Sequence, residues 1–109
     1  MLEMKRQSGV MQISVAQLKV WQAEQKDLVL LDVRQPQEHV LGHIGGILIP
    51  LDRFEEAMVA LNPKCRYVVY CRSGGRSQTA AQWMVQSGFS EVYNLEGGYL
   101  AWESSVDAS

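Results

Sequence analysis

The chain has few cysteines, no long apolar stretch and almost no excess charge. Two cysteines in 109 residues are too few for the disulfide framework of a small secreted domain. No apolar run approaches the roughly 20 residues of a membrane-spanning helix, and the N-terminus lacks the apolar stretch of a signal peptide. A formal net charge of −2 gives no bulk attraction to nucleic acid or to an anionic membrane surface. These shortages predict a cytoplasmic protein with no nucleic-acid partner and no membrane partner.

The length and the pattern of the chain predict one α/β domain. A chain of 109 residues suffices for one domain and not for two. Residues 1–10 show no periodicity and are expected to form a loose leader, and residues 104–109 a frayed C-terminus. Between them, residues 11–103 alternate apolar runs typical of buried strands with segments at helical spacing. Such alternation predicts a parallel, three-layer α/β domain.

The most informative stretch is a predicted strand, loop and helix over residues 67–77. An apolar run of β-branched and aromatic residues ends at Cys71, and Ser77 opens a segment with helical spacing. Ligands of α/β sheets bind at the carboxyl ends of strands, where N–H groups of glycine-rich loops and helix dipoles attract anions. The residues predicted to bind an anionic substrate are the six that follow the cysteine: Arg72, Ser73, Gly74, Gly75, Arg76 and Ser77.

The same loop is expected to activate its cysteine. A thiol in the positive field of Arg72 and Arg76 ionises more easily than a free cysteine, whose pKa is about 8.5. The thiolate is the nucleophilic form. A buried, inert cysteine packs as a small hydrophobe and requires neither a glycine pair nor two arginines beside it. Cys71 is therefore predicted to be the catalytic nucleophile at the bottom of a small anion cradle.

Three stretches of the chain resemble the rhodanese (thiosulfate sulfurtransferase) family. The loop from Cys71 to Ser77 is similar to the active-site loop of that family. A second match lies within residues 31–50, and a third within residues 95–102. The second contains Leu31-Asp32-Val33-Arg34, Glu38, Gly42-His43-Ile44-Gly45-Gly46 and Ile49-Pro50; the third is Leu95-Glu96-Gly97-Gly98-Tyr99-Leu100-Ala101-Trp102. Together the matches span most of the chain from Ile13 to Trp102.

The resemblance implies a fold and a set of supporting residues. The fold is a single rhodanese-like domain over residues 11–103, whose central, mostly parallel, five-stranded sheet is flanked by helices. Asp32, Arg34 and His43 are implied to be structural supports rather than catalytic groups. Buried charges need partners, so Asp32 and Arg34 are expected to form an ion pair, and Arg34 with Glu38 is a second possible pair.

The remaining reactive side chains are expected to take no part in the reaction. His39 is predicted to be exposed to solvent. Cys65 lies six residues before Cys71, and six extended residues span about 20 Å. Because the two α-carbons of a disulfide lie within about 7 Å of each other, no bridge between them is expected along an intact strand. No cluster of His and Cys has ligand spacing, so neither a metal nor an organic cofactor is expected.

The resemblance implies sulfur transfer. The Cys71 thiolate would attack the outer sulfur of a small anionic donor such as thiosulfate, and the resulting persulfide would pass its sulfur to cyanide or a thiol. The thiol could belong to a partner protein in a sulfur relay.

Two alternatives to sulfur transfer remain open. Cysteine-based phosphatases and arsenate reductases also place a thiolate under an arginine, but in a longer loop than the four residues between Cys71 and Arg76, and this loop offers no general acid. A non-catalytic sensing or interaction module could use the same fold, although the complete loop argues against it.

Overall fold

A computed structural model describes residues 5–7, 9–24 and 26–107 of the chain. This part of the chain contains six strands and five helices. The strands are β1 (Lys5–Gln7), β2 (Val10–Ile13), β3 (Val29–Asp32), β4 (Ile47–Leu48), β5 (Arg66–Tyr70) and β6 (Glu91–Leu95); the helices are α1 (Val15–Ala23), α2 (Pro36–Leu41), α3 (Leu51–Met58), α4 (Gly75–Gln86) and α5 (Gly98–Asp107). None of the helices in these ranges is both long enough and apolar enough to cross a membrane.

The strands form one mixed sheet in the order β1-β2-β6-β5-β3-β4. Strand β1 pairs antiparallel with β2, and every other neighbouring pair is parallel. The predicted α/β class and mostly parallel sheet are confirmed. The predicted count of five strands is wrong, because β1 adds a sixth.

The extra strand lies in the segment that was expected to be a loose leader. Lys5-Arg6-Gln7 has no apolar residue, so the sequence pattern gives no strand signal there. A turn that includes Gly9, at φ +82°, returns the chain antiparallel, and backbone pairing with β2 holds β1 at the edge of the sheet. Residues 1–4 and Ser8 of the predicted leader lie outside the described residues.

Alternate side chains of β5 enter two separate apolar cores. Tyr67 and Val69 pack with residues of α3 and α4, whereas Val68 and Tyr70 pack with residues of α1 and α5. Both faces of the central strand are covered, which explains why its sequence is continuously apolar instead of alternating. The three layers expected from the sequence are therefore present.

Helix boundaries differ from the sequence prediction at two places. The helix α2 lies inside residues 35–43, where the polar sequence predicts a connection without a helix. None of its residues is buried, so it has no apolar stripe that would indicate a helix. At the C-terminus, α5 continues to Asp107, within the segment 104–109 that was expected to fray. Residues 108 and 109 lie outside the described part of the chain.

The sheet register brings Asp32, Asn94 and Cys71 to the same edge of the sheet. Asp32 ends β3 and is paired with Tyr70, the residue before Cys71. On the other side of β5, Val69 is paired with Asn94 of β6. The carboxyl ends of β3, β5 and β6 therefore converge around Cys71, as parallel strands require.

Candidate active site

The Cys71 thiol lies at the bottom of a loop that leads directly into a helix. The residue is 1% exposed, and the N–H of Gly74 donates a hydrogen bond to Sγ at 3.1 Å. Gly74 is the N-cap of α4 at φ +113°, a conformation that favours glycine. The positive end of the helix dipole consequently lies beside the sulfur.

Hydrogen bonds rather than arginine charges have the larger effect on the ionisation of this thiol. Burial raises the pKa of Cys71, whereas the Ser77 hydroxyl and the N–H groups of Ser77, Gly74 and Ser73 lower it, with a net result below the ordinary value. The Ser77 Oγ lies 3.4 Å from Sγ. This net direction favours the thiolate, which is the form that a nucleophile requires.

The Arg76 side chain is engaged by a carboxylate. Its Nη1 and Nη2 donate to Oε1 and Oε2 of Glu38 at 2.8 and 2.9 Å, which joins α4 to α2. The hydrogen bond from Arg76 lowers the pKa of Glu38 to about 2. The sequence prediction paired Glu38 with Arg34, and that alternative is wrong. Two terminal nitrogens expected to hold an anionic substrate are thus committed to a protein carboxylate.

The rest of the loop faces outward, between two cavities. Arg72, Ser73 and Gly75 are exposed. A cavity of about 230 Å³ on one side includes Arg72, Leu41 and Tyr99 in its lining. A cavity of about 320 Å³ on the other side is lined by Ser73 to Gly75 and by polar side chains of the sheet. Small ligands can therefore approach the loop from either side.

Another cavity lies at the other end of the sheet. It has a volume of about 630 Å³ and is lined by residues at the amino ends of β3, β5 and β6, including Cys65. Cys65 precedes β5 and Cys71 follows it, and both are free cysteines. Despite its volume, this cavity is not the candidate active site. The Cys71 thiol and the N–H of Gly74 that donates to it lie at the opposite edge of the sheet.

Asp32 and Arg34 form the buried ion pair that was expected. Arg34 Nε and Nη2 donate to Oδ1 and Oδ2 of Asp32 at 2.9 and 2.7 Å. Arg34 Nη2 also donates to the carbonyl of Gly42 at 2.7 Å. Burial raises the pKa of Asp32, but hydrogen bonds from Arg34 and His39 lower it below its usual range. The pair fixes the chain that leaves β3 and ties it to the Gly42 carbonyl.

The supporting histidine is His39 rather than His43. His39 was predicted to be exposed, yet it is half-buried and its Nδ1 lies 2.8 Å from Asp32 Oδ2. Because an ionised carboxylate only accepts hydrogen bonds, Nδ1 carries the hydrogen. His43, the predicted support, is exposed and stacks on the His39 ring, with centroids 4.0 Å apart. The exchange follows from α2, which the sequence reading missed and which places His39 against Asp32.

Sequence reasoning also missed two buried amides behind Ser77. The Ser77 hydroxyl lies 2.5 Å from Asn94 Oδ1, and Asn94 Nδ2 donates to Gln12 Oε1 at 2.9 Å. Asn94 and Gln12 are each 5% exposed and are directly paired in the register of β6 and β2. The available signal was a polar residue inside each of two buried strands, since buried polar groups require partners.

The N-terminus of α5 is hydrogen-bonded to the start of the Cys71 loop. The N–H groups of Tyr99 and Leu100 donate to the carbonyls of Cys71 and Arg72 at 2.8 and 3.0 Å. A Cβ atom at Gly98 would lie 2.5 Å from the Cys71 carbonyl oxygen, so the close approach needs glycine. Within residues 5–7, 9–24 and 26–107, no group of three His, Cys, Asp or Glu residues is arranged to hold a metal ion.

These features define a class of protein: a three-layer α/β domain with a buried cysteine at the carboxyl edge of the sheet, whose sulfur accepts a hydrogen bond from a backbone N–H of the following loop. The family model described as the Rhodanese-like domain matches residues 14–105. The chain belongs to the rhodanese-like domain family.

Named relatives of known sequence or structure agree with this assignment. The chain is 39% identical over 80 residues to the thiosulfate sulfurtransferase GlpE of Pseudomonas paraeruginosa, covering 72% of this chain and 73% of the relative. It is 35% identical over 95 residues to the thiosulfate sulfurtransferase GlpE of Pseudomonas aeruginosa, covering 86% of each chain. The crystal structure of a rhodanese-related protein from Thermoplasma volcanium superposes with a TM-score of 0.78 at 33% identity, covering 86% of this chain and 91% of that one.

Proposed function

We propose that the protein is a sulfurtransferase that carries sulfane sulfur on Cys71. The observation that carries the proposal is the Cys71 sulfur, which faces the N–H of Gly74 at 3.1 Å and the hydroxyl of Ser77 at 3.4 Å, beside the N-terminus of α4. Hydrogen-bond donors in this position stabilise a thiolate or a persulfide anion. The names of the relatives, thiosulfate sulfurtransferase, support the same chemistry.

The reaction consists of two displacements at sulfur. The Cys71 thiolate attacks the outer sulfur of thiosulfate, an S–S bond to Cys71 forms, and sulfite leaves with the electron pair of the broken S–S bond. Cyanide or a thiolate then attacks the outer sulfur of the Cys71 persulfide, and Cys71 leaves as a thiolate. Covalent catalysis of this kind predicts ping-pong kinetics. Neither displacement needs a metal or an organic cofactor.

The loop N–H groups and Arg72 are the proposed binders of the anionic donor. Ser73, Gly74 and Ser77 contribute backbone N–H groups that interact with the sulfur, Gly75 lies in the same loop, and exposed Arg72 contributes a full charge at its rim. Arg76 attracts the donor through its field only, because Glu38 holds its terminal nitrogens. The acceptor is cyanide or a thiol, including a thiol on a partner protein.

The ion pair between Arg76 and Glu38 favours sulfur transfer over phosphate or arsenate chemistry. A phosphatase loop needs its guanidinium free to bind the equatorial oxygens of the phosphoryl group. The Arg76 guanidinium is held in a two-point pair by Glu38. Cys71, which is 1% exposed as a residue, is also better matched to the terminal sulfur of a slim donor than to a phosphoryl group on a bulky one.

Intact mass measurement before and after incubation with thiosulfate tests the proposal. The wild type and Cys65→Ser are expected to gain one sulfur, about 32 Da, that cyanide removes, whereas Cys71→Ser gains nothing. Cys65→Ser is the matched control because it removes the other thiol at the opposite end of β5. A gain that persists in Cys71→Ser, or no gain in a wild type that iodoacetamide still alkylates at Cys71, contradicts the proposal.

A further inference from the structure

A chain of side-chain hydrogen bonds runs from beneath the Cys71 sulfur to the edge of the sheet. Beyond Asn94, the Nε2 of Gln12 donates to Gln78 Oε1 at 2.6 Å. Gln78 Nε2 then donates to the backbone carbonyl of Gln7 in β1 at 2.9 Å. Among the described residues, no buried side-chain nitrogen or oxygen lacks a hydrogen-bond partner. The relay, comprising Ser77, Asn94, Gln12 and Gln78, is therefore fully paired.

The direction of the relay is fixed at its far end. A backbone carbonyl only accepts hydrogen bonds, so Gln78 must turn Nε2 towards Gln7 and Oε1 towards Gln12. Gln12 must then turn Nε2 outward, where it is also 3.4 Å from the Val10 carbonyl, and Oε1 towards Asn94. Asn94 consequently donates with Nδ2 to Gln12 and presents Oδ1, an acceptor, to Ser77. The hydrogen-bond network therefore determines which side-chain atom of Asn94 is the oxygen and which is the nitrogen.

The Ser77 hydroxyl has one hydrogen and several acceptors around it. Asn94 Oδ1 is at 2.5 Å, the Gly74 carbonyl at 3.2 Å and the Cys71 sulfur at 3.4 Å. The Gly74 carbonyl already accepts the N–H of Gln78 at 3.1 Å. The closest acceptor is therefore Asn94, and a neutral thiol faces a lone pair of the Ser77 oxygen. A thiolate is a charged acceptor and competes more strongly for the same hydrogen.

We propose that Asn94 is a positioning residue that competes with the Cys71 sulfur for the hydroxyl hydrogen of Ser77 and so limits how readily the thiol ionises. In the resting thiol, and in the persulfide, where the Cys71 sulfur itself carries no charge, the hydrogen lies on the Asn94 side. When Cys71 becomes a thiolate, as a nucleophile or as the leaving group of the persulfide, the hydroxyl rotates and donates to sulfur. The role of this rotation in turnover rests on the proposed function, whereas the effect of Asn94 on the thiol does not.

The charged groups around the loop belong to other contacts. Arg76 is paired with Glu38, and Arg34 with Asp32. Exposed Arg72 and Glu103 flank one cavity and Glu96 the other. None of these groups is hydrogen-bonded to Ser77, Asn94 or Gln12 within the described ranges. Removing the Asn94 amide therefore alters the hydrogen-bond competition and leaves the neighbouring charges in place.

The test is a pH titration of Cys71 that uses no sulfur donor. In a Cys65→Ser background Cys71 is the sole cysteine, and the rate of its alkylation by iodoacetamide as a function of pH gives the pKa. Asn94→Ala is expected to lower that pKa by about half a unit to one unit, the size of one hydrogen bond. Ser77→Ala is expected to raise it, because the hydroxyl is the one side-chain donor to the sulfur that the described part of the chain contains.

The double variant Ser77→Ala/Asn94→Ala separates competition from a general disturbance. Without the Ser77 hydroxyl there is nothing to compete for, so the double variant should have the pKa of Ser77→Ala alone. Gln86→Ala is the matched control, since this amide on α4 is exposed and lies outside the relay. An unchanged or raised pKa in Asn94→Ala, or a lowering that persists without Ser77, overturns the proposal.

A second variant covers the possibility that Asn94→Ala does not fold. Gln12→Ala removes the acceptor that orients Asn94, so the amide can turn Nδ2 towards Ser77 and release its hydrogen to sulfur. The Cys71 pKa should fall in this variant as well, and no fall contradicts the relay. A lowered pKa in a protein that never gains sulfur from thiosulfate would support Asn94 as a positioning residue while contradicting sulfur transfer.

Discussion

The guanidinium of Arg76 and the carboxylate of Glu38 form a two-point pair, with nitrogen–oxygen distances of 2.8 and 2.9 Å. Arg76 lies in the first turn of α4 and Glu38 in the first turn of α2. The pair therefore braces the helix that supplies positive potential to Cys71 against the segment that follows Asp32. The sequence predicts that Arg76 binds the substrate, whereas in the structure Arg76 is paired with Glu38; this ion pair is called the clamp below.

The clamp predicts an acid-sensitive contribution to stability. Its Glu38 pKa is about 2, well below the ordinary 4.5, so the contribution is complete above pH 4.5 and is lost as the pH falls towards 2. Glu38→Gln should lower the free energy of unfolding by about 1 kcal/mol at pH 7, a value reduced because both side chains are partly exposed. Urea unfolding at several pH values measures it. The difference should disappear near pH 2, with Glu56→Gln on the exposed face of α3 as the control; a difference that stays constant with pH would count against an ionic clamp.

Arg72 and Arg76 should have separable effects on sulfur transfer. Arg72→Ala removes an exposed charge at the rim of the loop and should raise the KM for thiosulfate about tenfold, the value of a charge-assisted hydrogen bond. Arg76→Ala should affect the KM less and the urea midpoint more, because it breaks the pair with Glu38. Initial rates at varied thiosulfate and ionic strength measure both. A larger KM effect at Arg76 than at Arg72 would show that the clamp opens during turnover.

Arg34→Met should be the most destabilising single change at the site. It leaves the Asp32 carboxylate, which is 0% exposed, without its two-point partner. Breaking a buried pair from one side costs about 3–5 kcal/mol. Burial raises and the Arg34 and His39 hydrogen bonds lower the Asp32 pKa, with a net fall, so the loss should shrink in acid as Asp32 is protonated. Arg53→Met, an exposed arginine on α3, is the control for urea unfolding, and equal losses in the two variants would contradict the assignment.

Two glycines of the site should respond in opposite ways to alanine. Gly98 has φ +57°, and an added Cβ would lie 2.5 Å from the Cys71 carbonyl oxygen and 2.6 Å from that of Arg72. Gly98→Ala should therefore destabilise the fold by about 1–3 kcal/mol and disturb the loop. Gly75 opens α4 with no atom within 4 Å of an added Cβ, so Gly75→Ala should be neutral or stabilising. Thermal unfolding together with Cys71 alkylation rates distinguishes the two, and similar losses at both positions would contradict the packing described.

The sequence was sufficient where the pattern reflects burial. The continuous apolar run at β5 and the loop after it identified the strand, the helix and the position of Cys71, because a strand covered on both faces consists mainly of apolar residues. The Ser-x-x-Gln pattern at Ser14 and Gln17 is typical of a helix start, and Ser14 Oγ accepts the Gln17 N–H at 3.1 Å. Strand β1 was missed because it is an edge strand held by backbone pairing, which carries no periodic signal.

The sequence was insufficient where a contact depends on three-dimensional placement. Helix α2 places His39, and not His43, against Asp32. The sequence signals for this helix are Pro36 in its first turn and the Gln35–Glu38 capping box, neither of which was used in the prediction. The partner of Glu38 was a residue 38 positions away, and no local pattern encodes such a distance. The buried amides of Asn94 and Gln12 became meaningful only after the register of β2 and β6 placed them side by side.

The position of β6 in the sheet has a consequence for the order of assembly. The last strand along the chain lies between β2 and β5, so the β1–β2 hairpin has no place in the sheet until β6 has been made. The N–H groups that hold the Cys71 and Arg72 carbonyls come later still, from the start of α5. Because contacts between residues far apart in sequence are slow to form, we expect the hydrogen bonds that fix the Cys71 loop to be completed only after α5 has been synthesised and has packed on the sheet. The proposed activity of Cys71 should therefore depend on α5 being in place.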